Sequence, residues 1–436
     1  MNKLFKILIP LLLILGLVLA TGCDVKAPST EMPPVAPPAP TEDVYSKTEE
    51  HRTDEDFTRD KTGIVLENVP LVCQEGWLDC GLTSRAMLLG YFDTSITYHK
   101  SMYYSGNCYG FGYYPNTLYL GFPCEEEEDY EWLASLYGLS YERIVPAKTP
   151  NKEDAWDEYI DRIWSYLQEG VPVQTCWSWS GREEGGKIYT RGGFRPYWWE
   201  GITRENRPEM HYIVVVGLDK SEGVIYLNDP WPGNEPYKEM SLAGFRGLVE
   251  TLGTELRYLT IGFTRNDVPG KDENRIEEMV KQRSPKKLRG DPAVYDKAPR
   301  YRLYGLKGLE AFKDDLAPTK FAGIMRAKAR LATQGQVLRP IETVTYLNLH
   351  LYQYSFITSV SAEYLKATGE TEAWRWLSNL HTLYEKLYVS SGKLVSIFKS
   401  SQDLDEALPK CAGTLSEMSG ILDEIIDLSC TVHEHQ

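Results

Sequence analysis

The stretch from Met210 to Trp231 constrains the fold more than any other part of this chain. Two β-rich runs, Tyr212–Gly217 and Val224–Leu227, flank the polar segment Asp219-Lys220-Ser221-Glu222-Gly223. Branched and aromatic residues favour extended chain, and two such runs around a short polar turn read as an antiparallel hairpin. Positions equidistant from the turn centre of a hairpin face one another. His211 and Asp229 average to residue 220, inside that turn, so they are expected near each other on one face at the open end. A one-residue bulge in either strand would shift this register. An imidazole beside a carboxylate can act as a base with its orienting partner. The plainer readings are a strand-end histidine with local hydrogen bonds and a turn-forming Asp before Pro230.

A second segment supplies what such a pair would serve. In Val69-Pro70-Leu71-Val72-Cys73-Gln74-Glu75-Gly76-Trp77-Leu78-Asp79-Cys80-Gly81-Leu82-Thr83-Ser84, Cys80 stands at the start of a helical pattern that continues to Phe92. Unsatisfied N–H groups and the positive dipole end at a helix N-terminus favour thiolate. Gln74, six residues earlier, can join the Cys80 N–H as a two-donor oxyanion hole. Alone, Cys80 would more often be a small core residue. The convergence of a thiol, an imidazole and a carboxylate from two distant segments favours chemistry.

The rest of the chain divides by composition. Residues 1–23 read as an export signal: Lys3 and Lys6, an apolar run from Ile7 to Leu19, then Ala20-Thr21-Gly22-Cys23. The run is short for a membrane span. Its end is similar to a prokaryotic lipobox, with Ala20 where Leu is usual, which implies lipidation of Cys23 and anchoring to membrane lipid outside the cytoplasm. Residues 24–62, rich in Pro and then in acidic residues and Thr, form a tether without a core. A first folded domain is expected over 63–266, with a helix over Trp156–Gln168 ended by Gly170, and strands at Val171–Trp177 and Leu256–Phe263. A charged linker follows over 267–300, then a helical domain over 301–436, where Leu309, Phe312 and Leu316, and later Ile421, Ile425 and Leu428, recur at helical spacing.

Apolar residues make up 42% of the chain and charged residues 25%, a globular composition. The net charge of −15 leaves no cationic excess to neutralise phosphates, so nucleic acid is not an expected partner. No CxxC or HExxH spacing occurs, and neither a metal nor a cofactor is expected. Besides Cys23 and Cys80, six cysteines remain; Cys108 with Cys124 and Cys411 with Cys430 are the first pairings to consider in an exported protein. The acidic run Glu125–Asp129 reads as solvated surface. Trp177, Trp179, Trp198, Trp199 and Trp231 read mainly as core, with a substrate groove as the alternative.

From about Ile64 to Phe263 the chain resembles the C39-like peptidase family of the papain-like superfamily. The resemblance rests on Val69-Pro70 with Gln74, Asp79-Cys80-Gly81-Leu82-Thr83-Ser84, Gly170-Val171-Pro172-Val173, His211 to Gly217, and Asn228-Asp229-Pro230-Trp231. It implies an α+β papain-like fold with an antiparallel sheet, a Cys80–His211–Asp229 triad, and Gln74 in the oxyanion hole. Met210 stands where a Gly often precedes the catalytic His, and the Tyr-rich insert between Gly90 and Trp156 departs from a minimal domain. Tyr304 to Phe312 is similar to the helical tail of butirosin-type acyltransferases. The expectation is a cysteine peptidase or amidase acting on a peptide or amide substrate. The alternatives are an acyltransferase with an amine acceptor and a non-catalytic surface-binding protein.

Overall fold

The computed structural model describes residues 63–76, 79–121, 127–145, 152–178, 180–182, 188–190, 210–231, 233–252, 257–266, 270, 272–295, 301–332 and 338–432, all within one compact unit. The export signal, Cys23 and the tether lie outside the described residues, as do Cys124, Trp179, Trp198 and Trp199. In chain order the elements of the first half are β1 (Gly63–Val65), α1 (Cys80–Phe92), α2 (Tyr98–Tyr104), β2 (Gly112–Tyr114), β3 (Tyr119–Leu120), α3 (Glu127–Leu136), β4 (Leu139–Ile144), α4 (Lys152–Gln168), β5 (Val173–Ser178), β6 (Ser180–Arg182), β7 (Ile188–Thr190), β8 (Met210–Asp219), β9 (Val224–Asn228), β10 (Lys238–Ser241), α5 (Leu242–Glu250) and β11 (Thr260–Arg265). Then come α6 (Glu273–Arg289), β12 (Leu303–Tyr304), α7 (Gly305–Asp315), α8 (Pro318–Ala332), α9 (Pro340–Thr368), α10 (Thr371–Ser400), α11 (Leu404–Lys410) and α12 (Ala412–Cys430). The protein is therefore α+β: an antiparallel sheet in the first half, then an all-α C-terminal region.

The main sheet runs β10-β9-β8-β5-β11-β4, with β1 paired to the far end of β8. The apolar runs read as strands occupy its centre, where Val173, Ile213, Val214, Val215 and Leu227 have no solvent exposure. The expected hairpin is β8–β9, and it carries a bulge. Val214 pairs with Asn228 and Val215 with Leu227, but Gly217 pairs with Tyr226, leaving Val216 as the extra residue. The turn centre therefore lies past residue 220. Continued outward, the register sets Asp229 opposite Ile213, so His211 is its diagonal neighbour on the same face, two residues on. The parity expected from the sequence holds; the direct opposition does not.

Helix α1 packs on β8, where Gly81 is closely approached. A Cβ there would lie 3.2 Å from the Tyr212 ring, tighter than most side chains tolerate. Gly170 ends α4 with φ +73°, a conformation glycine adopts without steric cost.

The Tyr-rich insert is the seat of the helical region. Tyr109 stacks on Trp376 of α10 at 5.6 Å between ring centroids, Tyr103 on Tyr364 of α9 at 5.5 Å, and Phe111 meets Tyr354 of α9 at 5.0 Å. The Tyr354 hydroxyl accepts from the Gly112 N–H (3.0 Å) and donates to the Gly121 carbonyl (2.9 Å). Strand β12 pairs with β2 of the insert, so the chain beyond residue 300 is stitched back by backbone hydrogen bonds.

The segment expected as a charged linker holds the 17-residue helix α6. Ile276, Val280 and Leu288 are buried along one side, and Asp272 caps the start by accepting from the Arg275 N–H. From this helix Lys287 reaches Asp129 at 2.5 Å and Arg283 reaches it at 2.9 Å. Asp129 and Glu128 are buried, so that part of the acidic run is not the solvated surface its composition suggests. Burial alone would raise the Asp129 pKa, but the two cations hold its carboxyl below the usual range.

Cys411 and Cys430 are free thiols, against the pairing considered above. They bracket the 19-residue helix α12, about 28 Å long at 1.5 Å per residue, far beyond the ~7 Å limit between disulfide Cα atoms. Cys108 is also free and buried.

Candidate active site

Asn228-Asp229-Pro230 organises the site, each residue by a different atom. The Asn228 amide donates to the Val69 carbonyl at 3.0 Å, and its oxygen accepts from the Tyr237 N–H at 2.8 Å. Asp229 Oδ1 lies 2.8 Å from His211 Nε2 and accepts from the Trp231 N–H at 2.9 Å. The Pro230 carbonyl accepts from the Gln74 N–H at 2.7 Å. One short segment at the end of β9 thus straps down the Gln74 loop and holds the histidine.

His211 and Asp229 are 2% and 0% exposed, so their interaction is made without competing solvent. Trp177, opposite His211 across the β5–β8 ladder, stacks on the imidazole at 6.3 Å with the planes 27° apart. With Nε2 committed to Asp229, the nitrogen that would exchange a proton with a thiol is Nδ1.

Cys80 is the first residue of α1 and half-buried. Its thiol lies against the main chain of Tyr212, the residue that follows His211. The helix start is fixed from the sheet: Gln174 on β5 donates to the Gly81 carbonyl at 3.1 Å. The activation expected of a helix N-terminus is not the net result. Burial is the largest influence and pushes the thiol up to about 12, with the charge of Asp79 adding to it. Main-chain N–H groups of Tyr212, Gly81 and Cys80 pull the other way and are outweighed. The net influence of these surroundings favours the protonated thiol.

Gln74 is buried, and its amide nitrogen donates to the Gly76 carbonyl at 2.8 Å. An amide nitrogen carries two hydrogens, so this bond fixes the group and leaves the second N–H to donate elsewhere.

Sequence reasoning missed Asp79. Its Oδ2 accepts from the Glu75 and Gly76 N–H groups, both at 3.2 Å, and from the Tyr98 hydroxyl on α2. Its main-chain carbonyl accepts from Thr83 N–H and hydroxyl at 2.8 and 2.9 Å. Asp79 therefore joins the Gln74 loop to the helix that begins with Cys80. Burial drives its own pKa to about 6 despite these donors. Its place beside Cys80 was the available signal, but its burial was not visible in the sequence. His99 reaches Glu75 in the same loop at 3.0 Å; burial lowers its pKa and Glu75 more than restores it.

Residues 66–255 match the model of the Peptidase C39 like family. Over this segment the chain is similar to C39-like peptidases. The match spans all four expected site residues, from Gln74 to Asp229, and it makes the domain cysteine peptidase-like. No curated protein matches the chain. The helical region lies beyond the C39-like segment, and the Tyr-rich insert that receives it lies within it.

Proposed function

We propose that this protein is a cysteine peptidase or amidase working through Cys80, His211 and Asp229, with Gln74 as oxyanion donor. The observation that carries the reading is the buried His211–Asp229 pair at 2.8 Å, one residue along the strand from the main chain that abuts the Cys80 thiol. The Cys80 sulfur attacks an amide carbonyl carbon, forming a C–S bond, while His211 Nδ1 takes the thiol proton. The oxyanion is met by the Cys80 N–H and the Gln74 amide. Collapse expels the amine, which leaves with the proton from His211, and a thioester remains. Water, deprotonated by His211, attacks the thioester; the carboxylic acid departs and the thiol regains its proton. Asp229 keeps the ring oriented and supports its charged state. The protein would act outside the cytoplasm, anchored to lipid through Cys23.

Incubation with a fluorogenic peptide-amide library, followed by intact-mass analysis after acid quench, tests this. Wild type should release amine and carry an acyl adduct on Cys80, and Cys80→Ala should do neither. Turnover that survives in Cys80→Ala sinks the reading. Products joined to an added amine rather than to water would redirect it to acyl transfer. Release of the Cys23→Ser protein from membranes tests the anchor.

A further inference from the structure

The helical region touches the loop that carries Gln74. Phe356 on α9 lies on Gly76: a Cβ built there would meet three ring carbons at 2.7, 2.9 and 3.0 Å. Side chains do not approach so closely, so any side chain at position 76 would have to displace a ring from 280 residues away. The ring is itself braced. It stacks on Tyr352 one turn back, at 6.1 Å and 19° between planes, and Tyr352 meets Tyr388 of α10 edge-on at 5.6 Å.

Gly76 fixes the Gln74 side chain. Its carbonyl receives the Gln74 amide, and its N–H is held by Asp79. A glycine without a covering group would have wide backbone freedom, and the Gln74 amide would share it. Asp79, itself bonded by Tyr98 of α2, holds the loop by hydrogen bonds, and Phe356 packs on it.

We propose that Phe356 is a positioning residue for the oxyanion donor, so that the C-terminal helical region is a working part of the active site. This rests on the reading of Gln74 and Cys80 given above. An oxyanion donor is effective only when fixed where charge develops, and misplacement by a fraction of an ångström lowers kcat more than substrate affinity. The effect should appear in turnover and not in the reactivity of the thiol, which does not need the donor.

The test uses the full chain and p-nitrophenyl acetate, with alkylation of Cys80 by iodoacetamide measured in parallel. Phe356→Ala should lower kcat by about 10-fold, with KM and the alkylation rate within about twofold, a fraction of the 10²–10³ seen when such a donor is deleted. Gly76→Ala should show the same pattern because its methyl displaces the ring. The double variant Gly76→Ala/Phe356→Leu, which gives the methyl room, should recover most of the loss. Phe356→Tyr should stay near wild type. Should Phe356→Ala fail to fold, Gly76→Ala and its rescue decide alone. An unchanged kcat in Gly76→Ala, or a double variant no better than either single one, overturns the inference. So does a raised KM at constant kcat, which would make the ring a substrate contact. Hydrolysis that persists in Cys80→Ala is the failure of the site reading itself, and it is distinct from all of these.

Discussion

The two halves of the candidate site are built differently. The His211–Asp229 half is a product of one hairpin. Its partners are 18 residues apart, both are buried, and the ladder that joins β8 to β9 sets their spacing. The Cys80–Gln74 half is a loop and a helix start, held by Tyr98 of α2, by Gln174 of β5 and by a ring of α9. Local geometry makes the first half, and distant packing makes the second. The first should therefore be intolerant of change within the site, whereas the second should be adjustable from outside it.

The largest effect that tests this contrast is at Asp229. Asp229→Ala removes the carboxylate that holds Nε2. A fall in kcat/KM of about 10³–10⁴ is expected, by analogy with loss of the orienting carboxylate in other triads. Steady-state hydrolysis measures it, and a fall below tenfold would mean that the hairpin does not need its acid. Gln74→Ala comes next, with kcat lowered about 10²–10³ at nearly constant KM. If Gln74→Ala instead cost as much as Asp229→Ala, the loop would be as indispensable as the hairpin and the contrast would fail.

This contrast also separates what was legible in the sequence from what was not. A period-two pattern around a polar turn makes the hairpin legible, and with it the nearness of His211 and Asp229 at its open end, though not the register that puts them on one face. The turn centres past residue 220, which by itself would put them on opposite faces, and the bulge at Val216 returns them to one face as diagonal neighbours; composition encodes neither offset. Helix α1 was readable from its pattern, and Gly170 from its place after a helix. The support of the loop was not readable, since Phe356 and Gly76 are brought together by tertiary packing alone. Nor was the role of the Tyr-rich insert, whose rings look like any surplus of aromatics until α9 and α10 cover them. The stretch expected as a linker misled because Glu, Lys and Arg dominate it. Its few apolar residues, Ile276, Val280 and Leu288, sit at helical spacing, and two of its cations are satisfied by the buried Asp129. The expected activation of Cys80 considered the helix end and left out desolvation, which outweighs it.

The smallest of the expected effects concerns Asp79, and it probes the loop half from within. Its folded-state pKa of about 6 lies above the ordinary aspartate value of 3.8. A carboxyl raised in this way is favoured by folding only while protonated. The associated stability is fully present below pH 3.8 and is lost as pH rises through 6. Above that, the buried carboxylate costs about 3 kcal/mol relative to a neutral side chain. Asparagine can keep an oxygen facing the Glu75 and Gly76 N–H groups and the Tyr98 hydroxyl, and it carries no charge. Asp79→Asn should therefore gain stability relative to wild type as pH rises from 4 to 8, read as the difference in urea midpoints. The same change removes a charge that raises the Cys80 thiol, so iodoacetamide should alkylate Cys80 in the variant about two- to tenfold faster at pH 8. Hydrolysis need not follow, because turnover also requires the loop geometry that Asp79 maintains. Faster alkylation with unchanged or lower kcat would show that the carboxylate is kept for its hydrogen bonds at the expense of thiol acidity. Equal alkylation rates and parallel stability curves would mean that the charge is compensated where it sits, and that Asp79 serves the loop without opposing the nucleophile.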